Sequence, residues 1–304
     1  MPDATATPAP ALAATDGRAR VIFPGEPGSF AEDAVILAFG EGAVATPVPT
    51  FRDVVTTLEA GGAPAGVLPI ENVVFGTVRE NYDLLADADL RIVGEVIVPV
   101  RLCLATLPGE RIEGIERVYS HIQALGQAEA FLRTRPWSLL ASTNTAGAGK
   151  MIRERGERGS AAVLSPRAAE LFGLDVLASD IQSEPRNRTR FLILTRPGAQ
   201  VPARTLRLSG APGSTLLVSV RNEPGTLYRV LGVLADHGLN ISKLESRPSR
   251  SHRWEYVFWM DLDADVDAPS AAPALAALRA AAVDVRVMGT YARAAEPIGV
   301  VDED

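Results

Sequence analysis

Short apolar segments alternate with amphipathic segments along most of the first 195 residues, and this order limits the possible folds. Strands are predicted at 21–23, 66–69, 92–98, 116–120, 161–164 and 190–194. Helices are predicted after Ser29, where Glu32 has the spacing of a capping box, and at 51–60, 78–85, 122–132, 143–155 and 166–171. Because strands joined through helices run parallel, the alternation predicts an α/β fold with largely parallel sheets.

The order of elements changes after residue 196. Three prolines and three glycines fall between 196 and 213, which predicts a linker over 197–213. Beyond it, strands are predicted at 215–220, 240–246, 254–262 and 283–291, with helices at 227–238 and 271–282. This βαββαβ order over roughly 80 residues is typical of a two-layer ferredoxin-like sandwich.

The ends of the chain and its charge exclude several classes of protein. Residues 1–19 are rich in Ala, Pro and Thr without the basic and apolar regions of a secretory signal, so they predict a disordered tail. Residues 294–304 are expected to form a C-terminal tail. A net charge of −7 argues against a nucleic-acid or anionic-membrane partner. We therefore expect a cytoplasmic protein. Cys103, the only cysteine, is predicted to be a buried core residue.

Two polar segments follow predicted strands in the first third of the chain. Glu71 and Asn72 come directly after a strand, at the edge of an α/β sheet where ligands gather, so we expect them to face a cleft. A helix cap with a solvated carboxylate would explain them equally well. Ser29 stands where a glycine-rich turn enters a helix, so free N–H groups there can bind an anion, although an ordinary strand-to-helix turn has the same pattern.

Two further polar segments lie at Ser120–Gln123 and at Arg188–Arg190. Ser120 is expected to cap the helix after it, leaving the amides at the start of this helix to bind a carboxylate. His121 is either catalytic or structural. Two arginines bracket Thr189 before a buried strand, and the arginine fork suits carboxylates, although a salt-bridged strand edge is the alternative.

Taken in order, these segments resemble the prephenate dehydratase family over 21–291. The family's Thr-Arg-Phe signature stands at 189–191, its Pro-Ile-Glu-Asn at 69–72 and its Ser-His-x-Gln-Ala at 120–124. The unit after the linker resembles an ACT regulatory domain, with Gly-Thr-Leu at 225–227 and Glu-Ser-Arg-Pro at 245–248. Val73 and Ile122 depart from the family, which usually has Ser and Pro there, and Val73 puts one hydrogen bond to the substrate in doubt.

The resemblance implies a two-lobed catalytic domain, like a periplasmic binding protein, over 20–196. One lobe would hold 20–99 with 179–196 and the other 100–178, with the ACT domain at 214–293. The implied lyase reaction removes CO2 and hydroxide from prephenate to give phenylpyruvate in phenylalanine biosynthesis. Since aromatisation of the ring drives the reaction, no cofactor and no metal are expected.

The resemblance also implies roles for individual residues. Thr189 would be an oriented donor to the leaving hydroxyl, supplied with protons through water or through His121, and Arg190 would clamp a carboxylate or strengthen this donor. The implied substrate-binding residues are Ser29, Glu71, Asn72, Ser120, Gln123 and Phe191, of which Phe191 mainly packs the strand. Phenylalanine would bind between the ACT domains of a dimer or tetramer, at Asn222, Gly225, Thr226, Leu227, Asn240, Glu245, Ser246 and Arg247.

Two other functions remain open at this point. The segments at 25–30 and 81–85 also resemble the related arogenate dehydratases, whose substrate carries an amine in place of the keto group of prephenate. A non-catalytic amino-acid sensor, in which a two-lobed binding protein carries an ACT domain, would need the same architecture. It would not need the Thr189-Arg190 pair.

Overall fold

The computed structural model describes residues 18–40, 43–199, 208, 210–248 and 256–294. The predicted tails fall almost wholly outside these residues, as does most of the predicted linker. No helix in the described ranges is long and apolar enough to cross a membrane.

The first lobe is built on a sheet of six strands. They are β1 (Ala19–Pro24), β2 (Ala43–Val48), β3 (Ala65–Asn72), β4 (Gly76–Thr77), β5 (Arg91–Pro99) and β11 (Arg188–Thr195). The helices of this lobe are α1 (Phe30–Phe39), α2 (Phe51–Glu59) and α3 (Arg79–Asp87). The strand order is β2-β1-β3-β11-β5, with β4 paired to β3.

The second lobe contains the chain between β5 and β11. Its strands are β6 (Cys103–Thr106), β7 (Arg117–Ser120), β8 (Ser138–Ala141), β9 (Ser160–Leu164) and β10 (Asp175–Ala178), in the order β10-β6-β9-β7-β8. Its helices are α4 (Ile122–Gln127), α5 (Glu129–Leu132), α6 (Thr145–Arg155) and α7 (Pro166–Leu171). Cys103 is fully buried, as predicted, and burial raises the pKa of its thiol to about 12.

Both sheets are mixed, so the prediction of largely parallel sheets is wrong. β1 is parallel to β2 and β3, because α1 and α2 carry the chain back between them. β11 is antiparallel to both β3 and β5, because it re-enters the first lobe from the second one. In the second sheet β7 is parallel to β8 and β9, whereas β6 is antiparallel to β9 and β10.

The capping box predicted at Ser29 is also wrong. Ser29 precedes α1 but its side chain makes no capping hydrogen bond, and the Glu32 carboxylate accepts the Gly28 N–H instead. A reciprocal capping box does form one helix later, between Thr50 and Asp53 at the start of α2.

The C-terminal unit has the predicted βαββαβ order. It consists of β12 (Pro212–Val220), α8 (Thr226–Asp236), β13 (Ile241–Pro248), β14 (Tyr256–Leu262), α9 (Ala272–Ala281) and β15 (Asp284–Ala292). The strands are ordered β13-β14-β12-β15, and the two helices pack against one face of this sheet.

The other face of the C-terminal sheet packs on the first lobe. Leu217, Trp259 and Met288 belong to the same buried core as Tyr82 and residues of β3 and β5. The two sheets approach closely at Gly289, where an added Cβ would lie 1.9 Å from the Ile92 carbonyl oxygen, so only glycine fits. The C-terminal sheet thus packs directly on the sheet that contains β11.

Candidate functional site

A cleft between the two lobes contains two adjoining cavities of about 490 and 820 Å³. They share a wall formed by residues of both lobes, namely Phe30, Phe51, Pro69, Glu80, His121, Thr145 and Thr189. The smaller cavity extends towards the starts of α1 and α6, and the larger one reaches Glu245 of the C-terminal sheet. A volume of this size suits a small organic acid.

Thr189 is part of this shared wall, and its hydroxyl is held by a hydrogen bond. The Asn72 amide donates to Thr189 Oγ1 at 3.0 Å, while Asn72 Oδ1 accepts the backbone N–H groups of Val74 and Phe75. These two backbone donors fix the orientation of the amide. Because Thr189 Oγ1 already accepts a hydrogen bond, its own proton is available for an acceptor in the cleft.

Two helix N-termini from different lobes meet at the smaller cavity. Ser29 precedes α1, and its hydroxyl is buried there without a partner among the described residues. Thr143, Asn144 and Thr145 line the same cavity at the start of α6. Asn144 caps α6 through its side chain, which accepts the Gly147 N–H. Helix N-termini with free N–H groups and hydroxyls are suited to bind a carboxylate.

Sequence reasoning missed the residues at 143–145, although the signal was present. The polar run immediately before a helix has the same form as the run at Ser29, but the helix was predicted to begin at 143, which hid it. Arg79 was missed as well. It is exposed at the start of α3 and is the one cationic side chain lining the two cavities within the described ranges.

His121 lines both cavities, whereas Ser120 lines neither. His121 Nδ1 accepts the Gln123 N–H at 3.3 Å and so caps α4, which leaves Nε2 as the protonated nitrogen of a neutral ring. The predicted cap at Ser120 is wrong, because its fully buried hydroxyl donates to the Val163 carbonyl. Gln123 lines the larger cavity.

Arg190 and Glu71 turn away from the cleft. This contradicts the expectation that Glu71 binds the substrate, and it contradicts the carboxylate clamp, which was one of the two roles expected of Arg190. Arg190 Nε lies 2.6 Å from Glu95 and Nη1 lies 2.7 Å from Asp261 of the C-terminal sheet. Glu71 pairs with Lys243 of the same sheet at 2.7 Å. Side chains alternate along a strand, so when Thr189 and Asn72 face the cleft their neighbours face the opposite side.

Phe191 is nearly fully buried in the core of the first lobe and forms part of the wall of the smaller cavity. The pairing of β11 with β3 shifts by one residue between Arg190 and Phe191. The extra residue at this shift is Ile70 of β3, so β11 keeps its own alternation and Phe191, two positions after Thr189, faces the same side as Thr189.

The two lobes are joined across the mouth of the smaller cavity. Lys150 of α6 lies 3.1 Å from Glu26, and the Ser165 hydroxyl donates to the Gly28 carbonyl. Arg167 of α7 lies 3.1 Å from Glu32 and 3.6 Å from Asp33. Burial raises the pKa of Asp33 to about 6, with Arg167 opposing the shift.

The residues predicted to bind phenylalanine separate into two groups. Glu245 accepts the Thr77 hydroxyl at 3.0 Å and Arg247 makes two bonds of 2.8 Å to Asp83, so both contact the first lobe of the same chain. The others lie on the C-terminal unit away from this contact; they are Asn222, Gly225, Thr226, Leu227, Asn240 and Ser246. Among them Thr226 is buried, bonded to the Arg221 carbonyl.

No group of three or more His, Cys, Asp or Glu side chains within the described ranges is arranged to hold a metal ion. The donors that line the cleft are hydroxyls, amides and helix N-termini rather than clustered carboxylates or imidazoles.

Comparison with known proteins gives this site a family. The prephenate dehydratase model matches residues 21–199, and the ACT domain model matches residues 214–280. A bifunctional chorismate mutase/prephenate dehydratase of Aquifex aeolicus is 35% identical over 90% of this chain and 74% of its own length. Arogenate dehydratase/prephenate dehydratase 1 of Arabidopsis thaliana is 34% identical over 91% of this chain and 72% of its own length.

A solved structure is similar over the same extent. The crystal structure of prephenate dehydratase from Arthrobacter aurescens, in complex with L-Phe, has a TM-score of 0.80 and 31% identity, covering 90% of both chains. The match therefore includes both lobes and the regulatory unit. With this agreement of sequence, fold and cleft, the chain belongs to the prephenate dehydratase family and carries a C-terminal ACT domain.

Proposed function

We propose that the chain converts prephenate into phenylpyruvate, CO2 and water in the cleft around Thr189. The observation that carries this proposal is the Asn72–Thr189 hydrogen bond, because it makes Thr189 a donor aimed into a cavity shared by both lobes. A passive ligand-binding site does not require a hydroxyl held in this way. The non-catalytic sensor is therefore the weaker alternative.

The reaction requires little from the protein beyond this hydrogen-bond donor. The C–C bond between the ring and the ring carboxylate breaks, and the electron pair of this bond enters the ring. The C–O bond at the opposite ring carbon breaks. Hydroxide leaves and takes a proton, so one prephenate and one proton give phenylpyruvate, CO2 and water. Thr189 stabilises the departing oxygen through its hydrogen bond, and the proton comes from solvent or through His121, which lines the same cavities.

The substrate carries two carboxylates that need different surroundings. The pyruvyl carboxylate stays charged, and the N-termini of α1 and α6 with Ser29, or Arg79 in the larger cavity, can bind it. The carboxylate that leaves as CO2 must be poorly solvated, and apolar side chains such as Phe30, Phe51 and Phe191 provide such a wall.

Arogenate is the second candidate substrate, and two observations favour it. The Arabidopsis relative is named for both arogenate and prephenate. In addition, the carboxylates of Glu26 and Glu80 line the smaller cavity, where one of them can pair with the ammonium group of arogenate. Glu26 is already bound to Lys150, so Glu80 is the residue we assign to this contact.

The ACT domain supports feedback by phenylalanine. The relative from Arthrobacter aurescens was solved with L-Phe, and we propose that this chain binds the same amino acid between the ACT domains of two subunits, at Asn222, Gly225–Leu227, Asn240 and Ser246. Feedback requires that phenylalanine bind one quaternary state more tightly than another. Sedimentation analysis with and without phenylalanine tests the assembly. Fractionation of the producing cells tests the predicted cytoplasmic location.

The test of the proposed function is a turnover assay with both substrates side by side. CO2 release and the ultraviolet absorbance of the aromatic product are followed for prephenate and for arogenate, with and without L-phenylalanine. The proposal expects stoichiometric CO2 from prephenate and slower release when phenylalanine is present. Ligand binding without CO2 release from either substrate would instead establish the sensor.

A further inference from the structure

The regulatory sheet contributes a charged residue directly behind the strand that holds Thr189. Asp261 lies on β14, and its Oδ2 accepts from Arg190 Nη1 at 2.7 Å. Both side chains are largely buried, with 11% and 14% of their surface exposed. Arg190 is the residue next to Thr189, so this contact joins the ACT domain to the catalytic strand one residue from the hydroxyl.

Asp261 and Arg190 belong to a closed ring of hydrogen bonds. The Thr215 hydroxyl donates to Asp261 Oδ1 at 2.7 Å, so the Tyr291 hydroxyl, 2.7 Å from Thr215 Oγ1, must donate to Thr215. Arg190 Nη2 in turn donates to Tyr291 Oη at 3.4 Å. All four side chains therefore have defined donor and acceptor roles. A buried network in which every member is satisfied holds its residues in one arrangement.

The catalytic domain alone gives Arg190 fewer partners. Glu95 on the neighbouring strand accepts from Nε at 2.6 Å, and Glu71 lies 3.9 Å from Nη1. Without Asp261, Nη1 of Arg190 would lose its hydrogen-bonded carboxylate while staying largely buried, which is costly for an arginine. The bulge between Arg190 and Phe191 is where the ladder to β3 is already interrupted, so the strand can adjust there.

From these contacts we infer that Asp261, in the ACT domain, is a positioning residue for the dehydratase reaction. It acts on Thr189 through Arg190 and does not touch the substrate. Arg190 is thus explained by its position behind the cleft and not by a carboxylate clamp within it. This inference rests on the proposed function for its kinetic consequence, and on the geometry alone for its structural one.

The test is Asp261→Asn in the full-length chain. This change keeps the shape but removes the charge, and the new amide must turn its N–H groups towards either Arg190 or Thr215. Since a 1 Å misplacement of a catalytic group costs roughly 100-fold, a displacement of about half that size lowers kcat roughly tenfold. KM should stay within roughly twofold, because Asp261 makes no substrate contact. Tyr291→Phe, which opens the ring at another point, should lower kcat in the same direction but less.

The matched control is Asp83→Asn. It removes the charge from another ion pair between the same two domains, Asp83–Arg247, on α3 rather than β11. Hydrogen exchange of the peptide covering 188–195 is measured in all variants, since it reports on the strand without any substrate. We expect faster exchange and lower kcat in Asp261→Asn, and neither in Asp83→Asn.

Two results would overturn the inference. One is wild-type kcat and wild-type exchange in Asp261→Asn. The other is an equal loss in Asp83→Asn, which would show general loosening of the domains. If the wild-type chain turns over neither prephenate nor arogenate, the proposed function fails instead, and the exchange rates alone then decide whether Asp261 holds β11.

Discussion

Replacing the Thr189 hydroxyl with a methyl group, in Thr189→Val, isolates the contribution of the hydroxyl because valine has nearly the same shape as threonine. The Asn72 amide keeps two other acceptors, Asn187 Oδ1 at 2.9 Å and the Arg188 carbonyl at 3.1 Å. No buried donor is orphaned, so the free energy of unfolding should change by less than about 1 kcal/mol. The departing oxygen, however, loses its positioned donor, which costs about 10²–10³ in kcat, or about 3–4 kcal/mol of activation free energy.

The assay follows phenylpyruvate formation from prephenate at saturating concentration, alongside a urea titration of each variant. Thr189→Ser is the matched control, because serine keeps the hydroxyl and loses only a methyl group. We expect the serine variant to keep kcat within roughly tenfold of the wild type. If Thr189→Val turned over prephenate within about threefold of the wild type while remaining folded, the hydroxyl would not be the donor, and the mechanism built on it would fail.

Three further perturbations test other parts of the site. Arg79→Met should raise KM for prephenate roughly tenfold and leave kcat nearly unchanged, because the side chain would bind a carboxylate that does not react; an effect on kcat alone would contradict this. Gly28→Ala should lower Tm and activity together, since Gly28 has φ 84° and an added Cβ would lie 2.7 Å from Ala168 of the other lobe. Burial raises the pKa of Asp33 to about 6, so the folded state binds more protons than the unfolded state between about pH 4 and 6. The free energy of unfolding therefore falls as pH rises through that range. Asp33→Asn should therefore stabilise the protein by about 1–3 kcal/mol at pH 7 and by little at pH 4 in urea titrations; a variant less stable at pH 7 would refute the assignment.

The sequence pattern predicted the α/β class and the βαββαβ unit because hydrophobic period and turn residues are local signals. The two-lobed architecture was implied only by the resemblance to the family. The pattern missed strands such as β8, whose four residues are all exposed at a sheet edge and show no alternation. It also misjudged strand direction. β11 runs antiparallel to its neighbours because the chain has first passed through the second lobe, and no local pattern reports that path.

At the site, the sequence identified segments correctly but not the direction of each side chain. Asn72, Thr189 and His121 lie on the cleft, as predicted, whereas Ser120 is buried behind it. When polar side chains lie on both faces at the end of a strand, the sequence does not show which of them point into the cleft. Arg190 and Glu71 are charged and yet face away from the cleft, because the ACT sheet supplies Asp261 and Lys243 as their partners. A contact between domains far apart in sequence cannot be deduced from either segment alone.

The Thr-Arg pair shows why a short motif can have two functions at once. Adjacent residues of a strand point to opposite faces, so a strand with a catalytic hydroxyl on one face must present its next side chain on the other. In this fold the opposite face is covered by a regulatory sheet, and the next side chain is a buried arginine bound to that sheet. Any movement of the sheet that changes the Asp261 contact is therefore applied to the backbone one residue from Thr189. A regulatory domain placed this way needs no long chain of intermediate contacts to act on the reaction, since β11 itself is the connection.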